Sequence, residues 1–304
     1  MLLYRKARRI FCGRGLGRIP GVLAVSRLLD AYFDKTELVQ RRAGILLIRC
    51  QKNWMYVDTR DTGVVSSLLT VGSYEEYETK LFKQLVKPGM VVVDVGANIG
   101  YYTLIAARQV GHEGKVYAFE PEPNNCGLLA RNVRANGFDN VVTVQKAVSS
   151  RSGTTRLFLD RINLAAHSFA EDNLVPGNIS GKAESVEVDT VALDQFVADS
   201  RVDIIKIDTQ GAEGLVLEGA RDIIRNTPKL KILMEFWPAG LRSVGTEPFQ
   251  VLNELKKTGF IIKLIDERRR VTTEIELNRI MELCQIPSKG RWGFVNLLVE
   301  KNGH

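Results

Sequence analysis

The chain has 304 residues, of which 45% are hydrophobic and 25% charged, an ordinary globular composition that suffices for one large α/β domain with a small extension. Its formal charge of +7 resides in residues 1–42, where ten Lys/Arg face three Asp/Glu, while the other 262 residues balance at 32 of each sign. A near-neutral body speaks against a nucleic-acid partner, whose enzymes usually carry a basic binding face, and no run of about 18 apolar residues reads as a membrane-spanning helix.

Residues 1–42 read as a basic, mostly helical arm with a glycine-rich interruption from Gly13 to Gly21. Its apolar patch, Val22 to Val25, is too short and broken for a signal peptide. Two readings of the arm stay open: a solvated helix packed on the domain, or a peripheral contact with anionic lipid or another acidic partner. Cys12, Cys50, Cys126 and Cys284 form no Cys-x-x-Cys pair, and His112, His167 and His304 have no ligand spacing, so no metal is expected. Scattered cysteines fit a reducing compartment, and the expected location is the cytoplasm, with peripheral membrane association as the second reading.

Residues 43–87 read as a hairpin (44–49 and 54–57), a short helix (64–71) and an amphipathic entry helix (74–86) stopped by Lys87-Pro88-Gly89. Residues 88–304 then alternate between strands at 91–95, 115–120, 141–145, 202–208 and 230–236 and helices near 101–110, 124–136, 212–225 and 248–258. That alternation predicts a doubly wound, mostly parallel sheet with helices on both faces. Short strands at 157–159 and 186–188 flank a polar loop, about 160–184, expected over the active site; 260–265 and 294–299 read as the last main strands.

The first core strand ends in Asp94 and runs into Gly96-Ala97-Asn98-Ile99-Gly100, after which a helical pattern starts at Tyr101. Open α/β folds bind nucleotide-like ligands at such a turn. A dinucleotide loop carries a second glycine that lets the backbone approach a pyrophosphate, and here that place holds Asn98. Asp94 would repel a pyrophosphate and attract an ammonium. S-adenosylmethionine (SAM) has an ammonium, a carboxylate, a sulfonium and a ribose, and no phosphate. Asp94 can take the amino group, and backbone N–H groups of the loop and helix start can take the carboxylate. Glu120 ends the second strand, where an acidic side chain can accept both ribose hydroxyls; Pro121 stops that strand, and Pro123 suits a first helical turn.

These residues resemble FkbM-type SAM-dependent methyltransferases. Asp94-Val-Gly-Ala-Asn-Ile-Gly100 followed by Tyr-Tyr-Thr is similar to the family's first motif, and Phe119-Glu120-Pro121 to its second. Lys206-Ile-Asp-Thr-Gln-Gly-Ala-Glu213 is similar to its Lys-Ile-Asp-x-Glu-Gly-Ala-Glu signature. Gly72-Ser-Tyr-Glu75 and Asp189-Thr-Val-Ala-Leu-Asp194 fit its entry helix and its approach to strand four, so the resemblance covers about residues 45–300. It implies a Rossmann-like class I methyltransferase fold with a seven-stranded sheet whose last strand is antiparallel, and methyl transfer, usually to a hydroxyl oxygen of a sugar, glycan or secondary metabolite. It also implies SAM contacts by Asp94, Gly96, Asn98 and Gly100 (methionine part), Glu120 (ribose), Gln145 and Ala147 (adenine), and Asp208 at the sulfonium and substrate, with Ala97, Tyr101 and Pro121 as further cofactor contacts. The chain departs from the signature at Gln210, where the family often has Glu.

A hydroxyl acceptor must lose a proton, and the candidates for that base are Asp208, Glu213, Glu235 and His167. Asp208 ends a central strand; Glu213 lies in a first helical turn, where a carboxylate also suits the helix dipole; Glu235 could orient substrate or pair with Lys206; His167 lies in the polar loop. Phe236-Trp237-Pro238 and Trp292 add aromatic surface near the strand ends, as core or as a sugar platform. The competing readings are a nicotinamide-dependent oxidoreductase, disfavoured by Asn98, a nucleic-acid methyltransferase, and a SAM-fold scaffold without catalysis. Neither the oligomeric state nor the acceptor follows from the sequence.

Overall fold

A computed structural model describes residues 44–174, 183–197, 201–285 and 293–301. The expectations for the arm of residues 1–42 and for Trp292 lie outside these described residues. Packing distinguishes two units, Met1–Leu46 with Asp58–Arg60, and Leu47–Val57 with Asp61–His304. In the first, Thr59 N–H donates to the Gly44 carbonyl (3.1 Å), and the Arg60 guanidinium pairs with Asp58. All that follows concerns the second unit, apart from the strand ends that enter the first.

Strands β1 (Ile45–Cys50) and β2 (Asn53–Asp58) form a separate two-stranded sheet, followed by α1 (Val64–Thr70) and α2 (Glu76–Leu85). The core then runs β3 (Val91–Val95), α3 (Tyr101–Val110), β4 (Lys115–Phe119), α4 (Pro123–Ala135) and β5 (Val141–Val144). A small sheet of β6 (Ala147–Val148), β7 (Gly153–Phe158) and β8 (Ser185–Val191) precedes α5 (Leu193–Phe196) and β9 (Ile204–Ile207). Helices α6 (Glu213–Glu218) and α7 (Arg221–Asn226), β10 (Lys231–Phe236), α8 (Pro238–Ser243), α9 (Pro248–Lys257), β11 (Phe260–Asp266), β12 (Val271–Glu274), α10 (Leu277–Gln285) and β13 (Val295–Lys301) complete it.

The main sheet has the order β12-β11-β13-β10-β9-β3-β4-β5. Strands β5, β4, β3, β9 and β10 are parallel, and β13 enters antiparallel between β10 and β11. The central strands β3, β9 and β10 are almost wholly buried, as a sheet covered on both faces requires, and burial falls off through β4 to the edge strand β5, where Val144 alone is buried. The expected seven strands are therefore present with the last one antiparallel, and an eighth, β12, is added at the edge. The chain reverses at Arg270 (φ 54°), and the β-branched Val271-Thr272-Thr273 then pairs with β11.

One expected helix, 212–225, is two. Helix α6 ends at Gly219, where an added Cβ would stand 2.1 Å from the Ser149 carbonyl. The Gly219 carbonyl accepts from Asp194 N–H, and the Asp194 carboxylate receives the N–H groups of Asp222 and Ile223, so a side chain from outside the helix starts α7. Helix α3 is buried along most of its length, which fits its place against the centre of the sheet. Asn132 on α4 ties β2 to the loop after β3. It exchanges hydrogen bonds with the Tyr56 backbone (2.6 and 3.0 Å) and donates to the Ile99 carbonyl (2.8 Å).

Candidate active site

The carboxyl ends of β3, β4, β9 and β10 bring the sequence-selected residues together. A cavity of about 230 Å³ is lined by Asp94, Asn98, Tyr102, Asp208, Glu235 and Trp237, among others. A second, smaller cavity carries Glu120, Pro121, Ala147, His167 and Phe169. Gly96, Asn98, Asp208 and Gln210 line both, so the two meet at the tips of β3 and β9.

The loop after β3 is a closed turn. Gly96 (φ 78°) and Ala97 both donate to the Phe119 carbonyl (3.0 and 2.9 Å), Asn98 (φ 49°) donates to Glu120 Oε2 (2.8 Å), and Gly100 donates to the Ala97 carbonyl (2.8 Å). These four amides thus hold the turn itself, which leaves the Ile99 amide and the helix start for a carboxylate. Glycine at 96 has a physical reason: a Cβ would stand 1.8 Å from the Asp208 carbonyl oxygen, because the β3 and β9 ends close on each other there. At Gly100 (φ 95°) a Cβ would meet Leu129 Cδ1 at 2.7 Å.

Asp94 is buried and accepts from Thr103 Oγ1 (2.5 Å). Burial pushes its carboxyl up to about 6, against the Thr103 hydrogen bond and the Lys206 charge. Glu120 is buried at the tip of β4, each oxygen receiving one backbone N–H, from Asn98 and from Glu122 (2.9 Å). Burial raises it to about 8. A carboxylate oxygen has two acceptor directions, so each retains one for a hydroxyl. Ala147 lines the smaller cavity, but Gln145 is exposed and lines neither; Lys146, Leu157 and Phe169 complete that wall.

On the other side stand the candidates for proton transfer. Asp208, half-buried, lines both cavities. Glu235 is buried, and burial with the carboxylates of Asp208, Glu213 and Glu75 drives its carboxyl well above the usual range. Glu213 is wholly buried and lines neither cavity. Its Oε1 accepts from Gly211 N–H (2.9 Å) and Thr209 Oγ1 (3.1 Å), so it shapes the turn after Asp208, and burial raises it to about 7. His167 lines only the smaller cavity; its Nδ1 accepts from Asp160 N–H (3.1 Å), and burial lowers its pKa, favouring neutral imidazole.

Lys206 pairs with Glu78 of α2 (3.0 Å), not with Glu235. Its ammonium also lies 5.0 Å from the centre of the Tyr102 ring. Burial opposes that charge, but the carboxylates of Glu78, Asp208 and Glu75 outweigh it and hold Lys206 above its usual range. Glu75 is itself bound by Asn296 Nδ2 (2.8 Å) and the Tyr102 hydroxyl (3.3 Å). Gln210 (φ 51°) places its amide between Asp208 and Glu235.

The polar loop does cover the site in its described part: Asn163, Ala165, Ala166 and Asn173 face the larger cavity, and Leu164, Ala165, His167 and Phe169 the smaller. Asn163, Asn173 and Phe169 escaped the sequence reading because loop residues show no periodicity. Tyr102 could have been found, since it directly follows the glycine turn on the helix that faces the ligand edge.

The model of the methyltransferase FkbM domain matches residues 94–262. Methyltransferase sdnD of Sordaria araneosa is 26% identical over 188 residues, 50% of this chain and 68% of that protein. The 31-O-demethyl-FK506 methyltransferase FkbM of Streptomyces tacrolimicus is 29% identical over 163 residues, 45% of this chain and 62% of that protein. The chain thus spans about two thirds of the length of these relatives or somewhat less. A Streptococcus mutans protein solved in complex with SAH is 12% identical, covers 75% of this chain and 97% of its own, and superposes with a TM-score of 0.41. A SAM-dependent methyltransferase of Aquifex aeolicus is 18% identical, with 77% and 92% covered and a TM-score of 0.39.

Proposed function

The chain belongs to the FkbM methyltransferase family, and from that premise we propose that it transfers the methyl group of S-adenosylmethionine to a hydroxyl oxygen of a small molecule or glycan. The observation that carries the reading is the meeting of two cavities at Asp208, one walled by Glu120 and the other by Asp94, Glu235 and aromatic rings. The residues suit the donor. Asp94 would hold an ammonium, the two remaining acceptor directions of Glu120 would take ribose hydroxyls, and the apolar wall of Ala147, Leu157 and Phe169 would take the adenine. Bound there, S-adenosylmethionine supplies a methyl carbon activated by its sulfonium.

The rest is the work of the chain's own side chains. Asp208 is placed to accept the hydroxyl proton, because it alone among the candidate bases faces both cavities. Tyr74, Trp237 and Phe294 offer apolar faces to an acceptor, and Asn163 and Asn173 offer amides, a combination suited to a ring bearing hydroxyls. Alignment of the reacting atoms supplies much of the acceleration in such a displacement. The name of the Streptomyces tacrolimicus relative specifies an oxygen acceptor in that protein, which supports oxygen here. A nicotinamide site is not favoured: Asn98, at positive φ, stands where the pyrophosphate would need bare backbone, and Asp94 repels it.

Calorimetry with SAM, SAH and NAD tests the donor, and labelled methyl incorporation into panels of glycans, hydroxylated small molecules and RNA tests the acceptor. Binding of SAM and SAH with labelling of a hydroxyl compound is expected. NAD binding without SAM binding would overturn the reading, and label found only in RNA would overturn its acceptor.

A further inference from the structure

Gln210 is bound at both ends. Its carbonyl accepts from Ser168 Oγ (2.7 Å) and Asn173 Nδ2 (3.2 Å) of the covering loop, which secures a backbone turn (φ 51°) that non-glycine residues seldom adopt. Its Nε2 donates to Asp208 Oδ1 (2.8 Å) and to Glu235 Oε1 (2.9 Å). Both N–H bonds of one nitrogen are thus committed to two carboxyl groups. The two oxygens can be no further apart than those bonds laid end to end. Carboxyl groups so close do not readily ionise together.

The titratable and charged groups that face the pair are Asp94 on β3, Lys206 on β9, Glu75 and Glu78 at α2, Glu213 at α6 and the Tyr74 phenol. Lys206, the cation of this group, is engaged by Glu78. Glu235 is buried among carboxylates, whereas Asp208 is half-buried and opens to both cavities.

We propose that Gln210 is a positioning residue that keeps the two strand-tip carboxyl groups within reach of one amide, so that their closeness limits the pair to a single negative charge, with the proton on the more deeply buried Glu235. The proposal rests on the SAM reading only for what that charge faces. A neutral amide gives one donor to each carboxyl group and has no proton to lose. The glutamate often found at this place in the family would offer one donor when protonated and none when ionised, and would bring a third charge.

Two measurements on the full chain test it. In the ligand-free protein at neutral pH, the protonated-carboxyl infrared band, to which Glu120 and Glu213 also contribute, should lose one component in Glu235→Gln and keep it in Asp208→Asn. The ratio of SAM to SAH affinity, read by calorimetry from pH 6 to 9, reports the charge opposite the sulfonium. It should change less than about twofold in Glu235→Gln and fall about tenfold in Asp208→Asn. In Gln210→Glu it should become pH-dependent, varying about tenfold over that range. Gln210→Met, neutral and similar in length, serves if that variant does not fold, and should lower the ratio in the acid half of the range. A protonated-carboxyl band left unchanged by Glu235→Gln, or a ratio that shifts as much in Glu235→Gln as in Asp208→Asn, would overturn the proposal. A wild type that binds neither SAM nor SAH would instead overturn the donor reading, and the infrared measurement would still decide the protonation state.

Discussion

Lys206 on β9 and Glu78 on α2 form an ion pair of 3.0 Å in which each side chain is 1% exposed. It joins the entry helix to the centre of the sheet directly beneath the larger cavity, which Lys206 helps to line. Such a pair adds little over a well-packed apolar one, but removal of one partner strands the other charge. Lys206→Met is expected to lower unfolding free energy by about 3–5 kcal/mol, and the double variant with Glu78→Leu to recover most of that loss. Urea unfolding of the two single variants and the double variant measures both. Equal losses in the single and double variants would refute it.

Ligand-free stability should fall as pH rises from about 5 to about 8.5, because Asp94, Glu213 and Glu120 all carry carboxyl groups raised by burial, to about 6, about 7 and about 8. Their folded forms keep protons that the unfolded chain gives up near pH 4, so each contribution is complete below the unfolded value and is lost through the folded one. SAM should reverse the trend. An ammonium on Asp94 and ribose hydroxyls on Glu120 favour the ionised carboxylates, so binding releases protons and affinity rises with pH up to about 8. Calorimetry in buffers of different ionisation enthalpy reads that release, and Glu120→Gln should remove its alkaline part.

Gly96→Ala should be among the most damaging single-carbon changes in the protein. The added Cβ would stand 1.8 Å from the Asp208 carbonyl, and φ is 78°. The backbone strain alone costs about 1–2 kcal/mol, and the collision adds to it by prising the β3 and β9 ends apart. A thermal melt should show the loss, and calorimetry should show SAM binding lost with it.

Asp208→Asn should slow methyl transfer about 100- to 10,000-fold, the usual effect of a removed base, while SAM still binds. His167→Ala should instead weaken SAM binding without moving the pH profile of transfer, since that ring lines only the smaller cavity. Initial rates across pH, measured beside SAM affinity, separate the two.

The parallel core was legible because its strands are short, mostly apolar runs that alternate with helical patterns, and the 101–110 helix matches the structure residue for residue. Asp94, Glu120 and Asp208 were legible because a residue that ends a parallel strand must arrive at the ligand edge. What escaped depends on contacts distant in sequence. Lys206 meets Glu78 from an element far earlier in the chain, and no local pattern distinguishes that partner from Glu235. The start of α2 is likewise served by the Glu267 carboxylate from the β11–β12 turn, which receives the Tyr77 and Glu78 N–H groups. Gln145 follows a strand just as Glu120 does, but β5 is an edge strand and the side chain there is exposed. Gln210 was visible only as a departure from a signature, since both roles of its amide and carbonyl come from other elements.

Four amides of the turn after β3, those of Gly96, Ala97, Asn98 and Gly100, are satisfied within the chain by the Phe119 carbonyl, the Ala97 carbonyl and Glu120. The turn is therefore a rigid socket whose shape exists before any guest arrives, and the entropy of ordering it belongs to folding rather than to binding. With the proposed donor seated there, turnover would require no remodelling of this turn, and departure of the demethylated product would leave it shaped for the next molecule.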